Sequence, residues 1–272
     1  MACVTAPGVW HNGQAMTDWK DLADELDRWG EAGRTATFWW RDDDAGPDDG
    51  CLEPFLDQRR TLDVPLALAV VPGWLTPRSV KAIGGDPGSW ALQHGVNHTD
   101  RTTTERRKVE LCRDALKVDL ATLIDSSRDR LAADLGFSFL PVMVPPWNRI
   151  DAEIATLLPA LGLRGLSTLG PRPASMEHGL ALANVHIDIV NWKKGRCFVG
   201  DGPCLAAALD HLCQRRMGTV DPDEPTGLMT HHRVHDADCD GFVDRFVAFV
   251  RDHGVARWLD ASHVFETKPA VT

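Results

Sequence analysis

The chain has 272 residues, 43% hydrophobic and 25% charged, an ordinary composition for a globular protein able to bury a sizeable core. Its formal net charge of -10 argues against nucleic acid or an anionic membrane surface as partner, and no apolar run approaches membrane-spanning length. Residues 1–8 lack the basic and apolar regions of a signal peptide, and the seven cysteines are scattered without a Cys-x-x-Cys pair. A cytoplasmic protein with neither a disulfide framework nor a thiolate zinc site is therefore expected.

In chain order, Trp19, Leu22, Leu26 and Trp29 recur at helical spacing and are stopped by Gly30 and Gly33. From there strands and helices alternate. Thr35 to Trp40 reads as a first strand, Pro65 to Val71 as a second buried on both faces, and Trp90 to Gln93 as a short third. Thr102 with Glu105 has the form of a capping box opening a long helix, with Val109, Cys112, Leu116, Leu120 and Leu123 as its buried stripe. Phe137 to Val144 is a strand halted by Pro145 and Pro146, and Asp151 caps a helix carrying Ile154, Leu157 and Leu158. Leu163 to Ser167 and Asn184 to Val190 are strand candidates. A helix starts near Pro203, Thr226 to Met229 is a strand, a helix starts at Asp240, and Val255 to Leu259 closes the series. Regular alternation with short connections predicts one parallel-stranded α/β domain, better arranged as a barrel with an imperfect ring than as an open sheet. A glycine-rich phosphate loop after the first strand is missing, which speaks against a dinucleotide or nucleotide fold.

The chemistry concentrates where strands end. In Phe38-Trp-Trp-Arg-Asp-Asp-Asp-Ala-Gly46, three acids follow an aromatic strand at once. Packed like charges are costly unless a cation neutralises them or one stays protonated. His94-Gly-Val-Asn-His98 follows the third strand; on a helical turn, two histidines four apart share a face and can reach one ion. Two His and one Asp would hold Zn²⁺ or a similar ion and leave positions open, and the same trio also suits a non-haem Fe(II) oxygenase. Pro145 and Pro146 present Trp147 rigidly, Asp188-Ile-Val-Asn-Trp192 ends another strand, and Leu228-Met-Thr-His-His232 delivers a histidine at a further strand end. Polar groups gathered at the C-terminal ends of several strands are how barrel enzymes assemble a site.

These five motifs, in this order over about Thr35 to Phe265, resemble the polysaccharide deacetylase (NodB-homology) superfamily, in the form of a divergent bacterial branch. The resemblance implies a distorted (β/α) barrel of about seven parallel strands spanning residues 35–272, with residues 1–34 an N-terminal extension whose helix packs on it. It implies one divalent ion, Zn or alternatively Co, Ni or Fe, held by Asp44, His94 and His98. Asp43 would be the catalytic base and His231 the catalytic acid; Asp42-Asp43 is the competing register, and Arg41 before the triplet favours the later pair. Pro146 and Trp147 match the substrate groove, which Arg149 and Trp192 would extend. Three departures stand out: Val144 where the family carries an arginine that pairs with the base, so that Arg41 or Arg149 would substitute; Asn191 where an acid would orient His231; and Gly95 in place of Ser or Thr. The implied activity is metal-assisted deacetylation of an N-acetylated sugar or related acetamide, with a small-molecule or oligosaccharide substrate. The alternatives are a hydrolase of a small non-sugar amide and a silent carbohydrate- or metal-binding protein.

Overall fold

The computed structural model describes residues 10–11, 14–15, 17–103, 107–114, 119–173 and 179–266. Helix α1 (Trp19–Glu31) is opened by Asp18, whose carboxylate accepts the N–H groups of Lys20 and Asp21 in a capping box, and it buries Leu22, Leu26 and Trp29. Strand β1 (Ala36–Ala45) runs well past the expected Trp40 and takes in all three aspartates. Then follow α2 (Leu52–Leu62), β2 (Leu66–Val70), α3 (Pro77–Gly84), β3 (Ser89–His94), α4 (Leu120–Leu135) and β4 (Phe139–Val144). The two-residue strands β5 (Gly165–Leu166), β6 (Ala181–Leu182) and β7 (Ile187–Asp188) lead to α5 (Asp201–Met217), β8 (Thr226–Thr230), α6 (Ala237–Asp252) and β9 (Ala256–Trp258).

These nine strands join one parallel sheet in the order β6-β5-β4-β3-β2-β1-β8-β7, with β9 added on β1. The sheet curls because segment 181–188 serves both ends: Ala181 and Leu182 pair with β5, while Ile187 and Asp188 pair with β8. Counted as one interrupted strand, β6 and β7 bring the ring to the expected seven positions, a distorted (β/α) barrel. Among the described residues, no helix is long and apolar enough to cross a membrane.

Strand alternation divides β1 between two environments. Phe38 and Trp40 pack in the cluster between sheet and helices with Phe242 and Phe246, whereas Trp39 joins the barrel interior with Ala67, Ala69, Leu92 and Met229. The same period sends Arg41 and Asp43 inward with Trp39, and Asp42 outward with Trp40. α1 packs outside this shell, Trp19 lying against Phe242 and Phe249, and Glu25 paired with Arg216 at 2.6 Å.

Two expectations change here. The helix expected from Thr102 opens instead at Leu120, capped by Asp119; Glu105 and Leu116 lie outside the described residues. Residues 107–112 form no helix but a strap: Val109 returns its carbonyl to the Arg101 N–H, and Leu111 bridges Ile150. Its Glu110 side chain is fully buried, which a helical stripe built on Val109 and Cys112 would not have allowed. Helices α2 and α3 were also not anticipated, their apolar positions being few and interrupted by charge.

Candidate metal and catalytic centre

Because the strands are parallel, β1, β3, β4, β7 and β8 deliver their last residues to one end of the barrel. At Asp44 the register between β1 and β2 slips, between Asp42 and Ala45, and Asp44 adopts φ 69. This irregularity turns a residue that simple alternation would place with Asp42 toward the barrel mouth. Its Oδ1 lies 3.2 Å from His94 Nε2 and 3.2 Å from His98 Nε2. The structure thus brings together Asp44, His94 and His98, and Asp42, on the opposite face, stands apart from them.

His94 and His98 do not share a helical turn. His94 ends β3, and Gly95 at φ 59 and His98 at φ 56 fold the chain back as a tight loop. A side chain at Gly95 has no room: its Cβ would stand 2.1 Å from Glu110 Oε2 and 2.6 Å from Pro146 Cδ. That accounts for the glycine in place of Ser or Thr.

The trio fits a divalent ion on its own chemistry. His94 Nδ1 lies 2.9 Å from the Val144 carbonyl, which only accepts, so Nδ1 carries the proton and Nε2 presents its lone pair. Asp44 Oδ1 is buried without a hydrogen-bond partner. Burial alone would raise the Asp44 pKa, but the neighbouring histidines, His94 first, hold it well below the usual carboxylate range when they are protonated, the place a bound cation would take. Burial keeps His98 toward its neutral, ligating form.

Of the two arginines expected as partners of Asp43, Arg41 is the one that contacts it. Fully buried, it grips Asp43 with two parallel bonds, Nε to Oδ1 at 2.7 Å and Nη2 to Oδ2 at 2.9 Å. The fork is itself held by Ser167 Oγ at 2.7 Å and Asn148 Oδ1 at 2.6 Å. Asp43 is close enough for its charge to act on both His94 and Asp188. Arg149 does not join them: its guanidinium donates to the Lys108 carbonyl at the surface.

His231, just beyond β8, is 8% exposed, with an unpartnered Nδ1 and the edge of Trp192 at 4.6 Å between ring centroids. Its charge acts on Asp44 and on Asp188. Asn191 is corrected here: its Oδ1 accepts the N–H groups of Lys193 and Lys194, closing a turn of its own. The acid on the His231 side is Asp188, three residues earlier. Burial raises its pKa against the hydrogen bonds it accepts from Val190 N–H and Trp192 Nε1. The first acid of the Asp-x-x-Asn-Trp motif was the signal that could have found it.

Pro146 packs over Gly95, and Trp147, at φ 56, lies against His98 with centroids 4.5 Å apart; Trp74 flanks the same ring at 5.4 Å. Trp74, Trp147 and Trp192 together give the mouth an aromatic rim. Behind it, Asp42 accepts from Thr230 Oγ1 and from His232 N–H and stands 2.5 Å from His232 Nδ1. Burial disfavours that charged pair, yet each partner shifts the other toward its ionised form. The pair anchors the end of β8 to β1 and so fixes where His231 emerges.

A second cluster, His186, His211 and Glu224, has different chemistry. Gly227 N–H donates to His186 Nδ1 at 3.0 Å, so that ring carries its proton on Nε2, facing Glu224 Oε2 at 3.6 Å. The two imidazoles stack, centroids 3.3 Å apart at 14°, so their Nε2 atoms point side by side rather than converge, and that of His186 already bears its proton. Glu224 also accepts from Arg172 N–H at 2.7 Å and Asn184 N–H at 2.9 Å. It is a buried anchor, not a metal site.

No family model matches the chain, and no curated protein matches it in sequence. Solved structures do match. A polysaccharide deacetylase described as putative, from Mycobacterium smegmatis, is 16% identical, with 92% of each chain covered and a TM-score of 0.58. The chitin deacetylase of the fungal pathogen Colletotrichum lindemuthianum is 14% identical, with 87% of this chain and 90% of that one covered and a TM-score of 0.54. A CE4 family pseudoenzyme from Bacillus anthracis, BA3943, is 12% identical over 86% of this chain and 66% of that one, at a TM-score of 0.51. At such identities these likenesses establish the fold, which is that of the polysaccharide deacetylases.

Proposed function

We propose that this chain, having the polysaccharide-deacetylase fold, is a metal-dependent hydrolase that removes the acetyl group from an N-acetylated sugar. The observation that carries the reading is the convergence of Asp44 Oδ1 with the Nε2 atoms of His94 and His98, beside an independently anchored second carboxylate, Asp43. A divalent ion bound there would supply Lewis acidity, polarising the acetyl carbonyl and acidifying water. Asp43 is the general base. Arg41 orients it through one lone pair on each oxygen and leaves the others to accept the proton of the attacking water. His231, on the far side of Asp44, gives its proton to the departing nitrogen, which leaves as the amine while acetate is released. Trp192 holds the His231 ring edge-on, and Trp147 braces His98, so both aromatic walls also keep catalytic groups in place. Sugar rings stack on such faces, which favours a saccharide over a small non-sugar amide.

The fold is shared with at least one pseudoenzyme, and Val144 would point the same way. The Arg41–Asp43 pair favours activity instead, since it supplies the arginine from another strand. The test is acetate release from N-acetylglucosamine, chito-oligosaccharides and small acetamides by protein stripped with chelator and reloaded with Zn²⁺, Co²⁺, Ni²⁺ or Fe²⁺. Metal-dependent release, abolished in Asp43→Asn, supports the proposal. Stoichiometric metal with no turnover of any acetamide would leave a binding protein and reject it.

A further inference from the structure

The loop that carries both histidines is gathered around one buried carboxylate from the strap that follows it in the chain. Glu110 is fully buried. Its Oε2 accepts Val96 N–H at 3.0 Å, and its Oε1 accepts Asn97 N–H at 2.9 Å and Thr99 N–H at 3.2 Å. The residue skipped in that series is His98. Its neighbours on both sides are pinned, and at φ 56 its side chain is thrown toward Asp44. A non-glycine residue in the left-handed region is strained by about 1–3 kcal/mol and persists only where its surroundings over-determine it.

A buried carboxylate needs compensation, and here convergent backbone N–H groups supply most of it; among the described residues the cation paired with it, Arg101, has its Nη2 3.9 Å from Oε1. The strap that carries Glu110 is tied on both sides. Val109 O accepts Arg101 N–H at 3.0 Å, beyond the histidine loop, and Leu111 O accepts Asp151 N–H at 2.9 Å, beyond the Trp147 and Asn148 turn. Gly95 and Glu110 are a matched pair, because the carboxylate fills the space that a Cβ at 95 would need.

We propose that Glu110 is the positioning residue of the metal centre: it presets the His94–His98 loop in its ligating geometry before any ion arrives. The role rests on Asp44, His94 and His98 holding the ion. It does not depend on the substrate or on turnover.

The test is the affinity of metal-free protein for Zn²⁺, measured by competition with a chromophoric chelator, in wild type, Glu110→Gln and Glu110→Ala. Residues that orient ligands typically change metal affinity by about 10–100-fold. Glu110→Gln can accept at one oxygen but sets an amide NH₂ against a backbone N–H, so a loss near ~10-fold is expected, and Glu110→Ala should approach ~100-fold. The Co²⁺ spectrum of Glu110→Gln should change as well, since that spectrum reports ligand geometry. Thermal melting of the metal-free proteins separates a structural role. If Glu110→Gln melts earlier while its folded form binds Zn²⁺ like wild type, the positioning role is overturned. Should Glu110→Ala fail to fold, Glu110→Gln decides alone. Wild-type protein that takes up no ion, or His94→Ala protein that binds as tightly, would overturn the metal-site reading and this role with it. Intact wild-type binding with unaffected Glu110 variants removes only the role.

Discussion

Removing Arg41 is the sharpest perturbation of the centre. The guanidinium and the Asp43 carboxylate are 0% and 2% exposed, and the two parallel bonds between them leave little room for water to replace either partner. Arg41→Met keeps the side chain's length and apolar stem but strands a carboxylate in the barrel interior, a change that typically destabilises by about 3–5 kcal/mol. It also strips Ser167 Oγ and Asn148 Oδ1 of their donor. For a chain of this size each kcal/mol lowers Tm by roughly 2–4 °C, so a fall of about 6–20 °C is expected. Asp43→Asn leaves the reciprocal problem, a buried guanidinium facing a neutral amide. The double variant carries neither stranded charge and should be less destabilised than the sum of the singles by about 2–3 kcal/mol. The assay is urea unfolding of all four proteins in the metal-free state, with Tm by calorimetry as a second measure. Additivity within ~0.5 kcal/mol would show that the two groups do not act as a pair, and the account of how Val144 is compensated would fall with it.

Further outcomes follow from the same geometry. Elemental analysis should find one divalent ion in wild type and in Asp43→Asn but little in Asp44→Asn, while Asp43→Asn lowers kcat by ~10²–10⁴, the usual worth of a placed proton-transfer group; reversed phenotypes would restore the Asp42-Asp43 register. Asn191→Asp should leave kcat/KM unchanged, because its side chain serves the Lys193 and Lys194 N–H groups, whereas Asp188→Asn, which removes the carboxyl on the His231 side, should lower it; the opposite pattern would return the orienting role to Asn191. Acid should unfold the protein in two stages through the second histidine cluster. Burial lowers His211 from 6.5 to about 4, so the unfolded chain takes up its proton first and stability declines as pH falls from 6.5 toward 4. Glu224, whose burial is outweighed by its contacts with His186, His211 and Arg172 N–H, is lowered from 4.5 to about 2, and its share is lost as pH falls from 4.5 toward 2. Each shift is worth about 3 kcal/mol. Urea unfolding against pH should therefore flatten above pH 4 in His211→Gln and below it in Glu224→Gln, and curves parallel to wild type would refute the linkage.

Much of the centre was legible before any coordinates. The strand–helix alternation, the acidic triplet, the paired histidines and the histidine after β8 are each written in a few consecutive residues, and parallel strands oblige their C-terminal ends to meet. Even the register was implicit, because a period of two along Phe38-Trp-Trp-Arg-Asp-Asp puts Arg41 and Asp43 on one face and Asp42 on the other. The bulge that turns Asp44 back toward the histidines was not, since a slip between β1 and β2 depends on how two strands fit. Nor was Glu110, which falls outside the apolar stripe of the helix expected from Thr102. Its three partners lie 11 to 14 residues away in a loop whose backbone N–H groups leave no trace in side-chain type. Asn191 misled for the same reason: motif spacing places a residue at a strand end, but a turn closed on Lys193 and Lys194 decides which way it faces. Local sequence determined which chemistry the chain carries and at which end of the barrel. Tertiary packing alone decided which carboxylate faces which histidine, because that choice is made by contacts between segments the chain brings together only when folded.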